Sequence, residues 1–192
     1  MIFHKVMEPI SKCRLVVSLY RMSIASMVEY AVHSRSSMRA RRLTRKLLSE
    51  GRPVQLDVGS ITPRTGWVTV HWERAADLAL DLGKPLPFSD CSVDRIYSSH
   101  RLDHLYYEDA VMLLKESYRI LKDGGTLSVC VPDAALYLEA YCGGEPFDMK
   151  RFCIYDFALH YYSRIDLVNY IAYMGRQHRY MYDGENLVGM LR

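Results

Sequence analysis

The chain has 192 residues, 49% hydrophobic and 24% charged, which suits one folded domain with a sizeable core and excludes disorder throughout. Its five cysteines are odd in number and scattered, with no C-x-x-C pair, arguing against a disulfide framework or zinc ribbon and for a reducing, cytoplasmic setting. The formal net charge of +3 conceals an asymmetry: residues 1–49 carry ten Lys and Arg against only Glu8 and Glu29, so a basic arm precedes a mildly acidic remainder.

Within the arm, "CRLVVSLYRMSIASMVEYAV" places Cys13, Val16, Val17, Tyr20, Ile24, Met27, Val28 and Ala31 at helical spacing, predicting an amphipathic helix. Arg21 and Glu29 interrupt it, so it is neither a good membrane span nor a secretory signal. The next stretch, "HSRSSMRARRLTRKLL", is strongly basic. It is open to four readings: a solvated face, peripheral contact with anionic lipid headgroups, an organelle presequence, or a phosphate-rich partner. Nucleic acid is not expected, because no recognised binding module accompanies the run.

Gly51 and Pro53 punctuate the end of the arm, dividing the chain into a helical arm over residues 1–50 and an α/β domain over residues 51–192. Strands are predicted at "VQLDV" (54–58), "WVTVH" (67–71), "LALDL" (78–82), "VDRIYS" (93–98) and "TLSVCV" (126–131). The helix "YYEDAVMLLKESYRILK" lies between the last two and ends at Lys122 and "DGG". This alternation implies a doubly wound α/β fold with a mostly parallel sheet, whose ligands sit beyond the carboxyl ends of the strands. Beyond Pro132 the pattern is largely helical and dense in tyrosine, and most of these tyrosines are expected to be packing residues.

The ordered set "LDVGS…GWVTVH…DLALDLGKPLPFSDCSVDRIYSSHRLDHL…LLKESYRILKDGGTLSVCVPD" resembles class I S-adenosylmethionine-dependent methyltransferases. The likeness is to the small type associated with bacterial cell-surface glycan genes, and it covers roughly residues 53–133 with a weaker echo at "QHRYMYDGENL". It implies a Rossmann-like sheet, S-adenosyl-L-methionine as cofactor, and methyl transfer to oxygen or nitrogen of a glycan or other small molecule. By the same resemblance, Gly59, with Asp57 and Ser60 beside it, forms the first cofactor segment. Gly59 is the one retained glycine that lets the backbone approach the methionyl portion. Asp57 orients that loop or receives the methionyl ammonium through water; a plain capping carboxylate is the alternative. His71 stands where the family carries a ribose-binding acid, with Glu73 as a substitute two residues on. Asp81 and Leu82 would meet the adenine, and Ser98 to His100 would end the fourth strand where cofactor and acceptor meet.

His100 and His104 are four residues apart and would face one way on a helical turn, which makes both candidates for the general base. The same "HRLDH" is one methylene from the H-x-x-E-H zinc peptidase signature, a rival metallohydrolase reading that needs a regular helix and a further carboxylate ligand. No metal site is assigned on this basis. A third reading is a methyltransferase-like fold without turnover, acting as a binding or partner subunit. The family's final strand pair has no counterpart in the sequence, so the sheet is expected to end at its fifth strand. That exposed edge must be covered by helix or by a second subunit, and it predicts either a homodimer covering it or a truncated chain.

Overall fold

The computed structural model describes residue 31, residues 34–143 and residues 148–192. The amphipathic segment expected to end at Ala31 therefore lies almost wholly outside the described residues. The basic stretch that follows it is helix α1 (34–49). Ala40 and Thr44 of α1 are buried, and Leu43 and Leu47 pack on the main core. Arg35, Arg39, Arg41, Arg42, Arg45 and Lys46 all remain exposed. The helix is thus amphipathic in the ordinary sense, apolar stripe inward and charge outward. Among the described residues no helix is long and apolar enough to cross a membrane.

Five strands form one parallel sheet in the order β3-β2-β1-β4-β5. They are β1 (Gln55–Val58), β2 (Val68–His71), β3 (Leu78–Ala79), β4 (Val93–Ser99) and β5 (Leu121–Cys130). The third strand is only two residues long, against the five expected, because the chain turns at Asp81 and leaves the sheet. Helix α2 (Tyr107–Ile120) crosses from β4 to β5, as parallel pairing requires of a connection. With helices flanking the sheet, the fold is the Rossmann-like α/β architecture of methyltransferases. Among the described residues no strand pairs with the outer edge of β5.

Strand β1 is flanked by β2 on one side and β4 on the other. The direction of winding reverses there, and this switch point opens a crevice at the carboxyl ends of β1 and β4. Leu56, Val58, Val70, Leu78 and Ile96 of the strands interlock with Ala110, Leu113, Leu114 and Ile120 of α2 in the main core. Each such fully buried aliphatic side chain stabilises the fold by about 1.5–3 kcal/mol, so α2 is held by packing more than by its propensity.

The β4–β5 register jumps from Val93↔Leu121 to Arg95↔Thr126. Residues 122–125 bulge out, with Gly124 at φ +76°, a conformation that favours glycine. Lys122 Nζ lies 2.8 Å from Asp94 Oδ1, and the other Asp94 oxygen accepts from Val54 N at 2.8 Å. Helix α2 thus ends at Ile120, before the "DGG" expected to stop it, and β5 starts at Leu121 with "DGG" as the irregularity inside it.

Past β5 come α3 (Ala134–Gly143), α4 (Met149–Phe152), α5 (Ile165–Tyr173) and α6 (Gly184–Met190). A second core of Tyr137, Cys153, Leu167, Tyr170, Ile171 and Met174 holds α3, α4 and α5 together. Only Tyr137, Tyr170 and Tyr182 of the C-terminal tyrosines are buried, whereas Tyr141, Tyr155, Tyr161, Tyr162 and Tyr173 are exposed. The expectation that most would be packing residues is thus corrected: α4 ends after one turn, leaving 154–162 mostly in exposed loop and short turns.

Candidate active site

The loop after β1 is ordered by its own side chains. Ser60 Oγ accepts from Thr62 N at 3.1 Å, and Arg64 lies over the rings of Trp67 and Tyr97, 4.3 and 5.5 Å from their centroids. This cation–π packing fixes the loop as it returns to β2. Gly59 has φ +100° and donates its N–H to Val70 O at 2.7 Å. Asp57 is buried in β1, and that burial, opposed by the Arg64 charge, raises its pKa.

At the end of β2, His71 is buried and its Nδ1 accepts from Glu73 N at 3.0 Å. The ring's proton is therefore on Nε2, which can donate but not accept. Burial, then the positive charge of Arg101, lowers its pKa and keeps it neutral. The one acceptor nitrogen that an imidazole could offer a ribose hydroxyl is already used. Glu73, with its carboxylate 3.8 Å from His71 Nδ1 and partly exposed, is the remaining acceptor at this strand end.

Asp81 closes an Asx turn, with Oδ1 accepting from Gly83 N at 3.0 Å and Oδ2 3.2 Å from Lys84 Nζ. It is exposed, and each oxygen keeps a free lone pair for a further donor. Leu82 is buried behind it. The proline-rich turn that follows is gripped from α2. Leu86 N donates to Glu116 Oε2 at 2.7 Å, while Arg119 donates to Leu86 O, Phe88 O and Asp90 Oδ1 at 2.9, 2.9 and 2.6 Å. Arg119 also pairs with both oxygens of Glu116. One bidentate pair, three residues apart on a helix, thus satisfies a loop that has little backbone pairing of its own.

Strand β4 ends in the most constrained part of the site. Ser98 Oγ is buried with no hydrogen-bond partner. His100 is exposed and sits at φ +49°, its N–H donating to Cys130 O at 2.9 Å. Arg101 then folds back over Gly59: a Cβ on Gly59 would lie 2.7 Å from Arg101 Cβ and Cγ. Arg101 Nε is buried and unpartnered. Arg101 thus packs on the glycine at the switch point, and Ser98 pairs in the β1–β4 register with Val58, the residue before it.

"HRLDH" does not form a regular helix. His100 is in the left-handed region and Leu102–His104 is a single 3-10 turn, so the helix-borne arrangement of the zinc peptidase signature is not formed. His104 instead joins Asp103 and His178. Its Nε2 is 3.8 Å from Asp103 Oδ2, and its ring packs edge-on to His178 with centroids 5.2 Å apart. His178 Nε2 is 3.1 Å from the same Asp103 oxygen, and Nδ1 is 2.6 Å from Ile171 O. Burial, together with neighbouring His178, Arg101 and His100, lowers the His104 pKa despite the Asp103 carboxylate. For His178, burial works downward but Asp103 and the Ile171 carbonyl outweigh it, and its pKa is raised.

The structure brings Gly59, His71, Ser98, Arg101 and His104 to one end of the sheet. Ser60 is engaged in its own turn, and Asp81 stands on the exposed turn after β3. Sequence reading passed over Arg101, Glu116, Arg119 and His178. The E-x-x-R spacing on α2 was a signal for the second and third, whereas Arg101 and His178 fall inside "HRLDH" and "QHRYMYDGENL" with nothing local to give either a role.

Residues 56–129 match a family model described as a methyltransferase domain. The matched segment runs from β1 to the end of β5 and takes in Gly59, His71, Asp81, Ser98 and Arg101. It supports S-adenosylmethionine-dependent methyl transfer as the class of chemistry. No curated protein matches the chain.

Proposed function

We propose that the protein binds S-adenosylmethionine at the switch point between β1 and β4 and transfers its methyl group to an oxygen or nitrogen of a glycan or other small molecule. The observation that carries this reading is Arg101 Nε, buried and unpartnered in the side chain that packs on Gly59 at φ +100°, with Ser98 Oγ likewise unpartnered near the end of β4. An unpartnered guanidinium nitrogen suits a carboxylate such as that of the methionyl portion, and charge-assisted pairing there is stronger than a neutral hydrogen bond.

The bound cofactor supplies a methyl already activated on a sulfonium, so the protein's task is to position and to manage one proton. Glu73 accepts from ribose, with His71 Nε2–H as a donor beside it, and Asp81 accepts from the adenine amine. His100 takes the acceptor's proton at a ring nitrogen: it is exposed where β4 ends, and its φ of +49° holds it in a conformation that most residues avoid. His104, facing Asp103, belongs to the buried cluster behind it.

Calorimetric titration of the full chain with S-adenosylmethionine tests the reading. Binding that weakens about tenfold or more in Asp81→Ala and in Arg101→Ala is the expected result, and no binding at millimolar cofactor would overturn it. One observation favours the alternative of a non-catalytic binding subunit: the Arg101 side chain fills the space beside Gly59. Cofactor binding that improves in Arg101→Ala would support that alternative.

A further inference from the structure

We propose that Asp103, His104 and His178 form a binding site for a divalent transition-metal ion, zinc in the first instance. The donor set is two imidazoles and one carboxylate, the set that suits zinc, iron or manganese more than magnesium or calcium. The three ligand atoms lie within 4.8 Å of one another. Zinc bonds of 2.0–2.2 Å in a tetrahedron put ligand atoms about 3.3 Å apart, and the two distances to Asp103 Oδ2, 3.1 and 3.8 Å, bracket that spacing.

Hydrogen-bond accounting points the same way. Ile171 O is a carbonyl and can only accept, so at 2.6 Å His178 Nδ1 must be the donor. In the neutral ring Nε2 is then a lone pair, and it faces a carboxylate oxygen 3.1 Å away. Two lone pairs at that distance need a cation between them, either a proton, which makes an imidazolium–carboxylate pair, or a metal ion that takes the proton's place. Asp103 is only 2% exposed, and its carboxylate has His178 and His104 beside it, so a cation shared among the three compensates a buried charge that is costly alone. A histidine that gives its second N–H to a backbone carbonyl is also the usual outer support of a metal ligand, since it fixes tautomer and ring orientation.

The backbone fixes the site in advance. Asp103 O accepts from Arg179 N at 2.7 Å, tying His178 to the 3-10 turn that carries the other two ligands. The segment is pinned again where Ala134 N donates to Tyr182 O at 2.7 Å beside the Asp133–Tyr182 bridge. The His104 side chain is 24% exposed, so three protein ligands leave open positions on the solvent side, the pattern of a reactive rather than a purely structural site. The cluster borders His100 and Arg101. Resting on the methyl-transfer reading, the ion would polarise the acceptor oxygen or nitrogen and ease loss of its proton.

The full chain, stripped with chelator, is titrated with cobalt(II) and with zinc(II) in the absence of S-adenosylmethionine. The expected result is one equivalent of cobalt with visible d–d bands that zinc displaces, and at least 100-fold weaker binding in His104→Gln and His178→Gln. His104 is partly exposed, so its variant folds even if the His178 variant does not. No cobalt binding, or equal affinity in wild type and His104→Gln, overturns the site and leaves the methyl-transfer reading intact. Metal binding without any binding of S-adenosylmethionine supports the site and overturns only its role toward the acceptor.

Discussion

Arg101 lies across Gly59 so closely that a single added carbon on Gly59 would sit 2.7 Å from two atoms of the arginine side chain. Gly59 is also at φ +100°, so Gly59→Ala combines backbone strain with a clash. It is expected to destabilise the fold by about 1–3 kcal/mol, read from urea unfolding, and to abolish cofactor binding. Alanine tolerated there at full stability and affinity would contradict the assigned contact.

Arg101 itself is predicted to hold a carboxylate. Arg101→Ala should weaken binding of S-adenosylmethionine about tenfold or more, the effect of losing a hydrogen bond to a charged group. Adenosine, which lacks the carboxylate, should bind both proteins equally, and a matching loss for adenosine would place the arginine elsewhere in the site.

His71 offers the opposite experiment. Its only acceptor nitrogen is taken by Glu73 N, whereas a carboxylate has lone pairs for that N–H and for ribose hydroxyls as well. His71→Glu is expected to tighten cofactor binding about tenfold, measured by calorimetry. Weaker binding would mean that the Nε2–H donor matters more than a second acceptor.

The grip of α2 on the proline-rich turn predicts a large stability effect far from the crevice. Arg119→Ala leaves Glu116, 12% exposed, as a buried charge without its cation, takes the donor from Phe88 O and leaves Leu86 O with Phe88 N alone. The expected loss is about 2–4 kcal/mol, seen as a lower urea midpoint with an unchanged slope. A loss below 0.5 kcal/mol, as is usual for a surface pair, would show the network to be ornamental.

The same pair sets an acid limit. The Arg119 hydrogen bond, with help from Leu86 N and against burial, holds the Glu116 pKa below its ordinary value. A carboxylate with a lowered folded pKa stabilises above its unfolded pKa, and this contribution disappears as pH falls through the folded value. Stability should therefore drop from about pH 4.5 downward, and the drop should be shallower in Glu116→Gln. Equal slopes for the two proteins in urea midpoint against pH would rule the pair out as its source.

What the sequence revealed follows the reach of each interaction. Buried β-runs such as "LDV" and "VTVH" declare themselves locally, and so does Gly59 at a strand end, which is why the strands and the parallel sheet were legible, though not the strand order. The left-handed turn at His100 was not, because the helical spacing of His100 and His104 says nothing about a φ of +49°. Asp103 and His178 are neighbours only after α3 and α5 have packed, so spacing could not pair them. The exposed tyrosines misled for a related reason: hydrophobic periodicity over 149–162 suggested a helix, and only one turn of it forms.

The tie between Asp103 O and Arg179 N has a further consequence for how the molecule breathes. The parallel sheet is complete by Cys130, and its strand amides should exchange with solvent only on global unfolding. Residues 178–182 are held by backbone bonds to the 3-10 turn and to Ala134 and by burial of His178 and Tyr182, so lifting them while the sheet stays closed costs a core tyrosine and the Asp103–His178 contact as well as those bonds. The amide of Arg179 then becomes a clock for the site: its hydrogen-exchange rate reports how often the crevice loses its last wall.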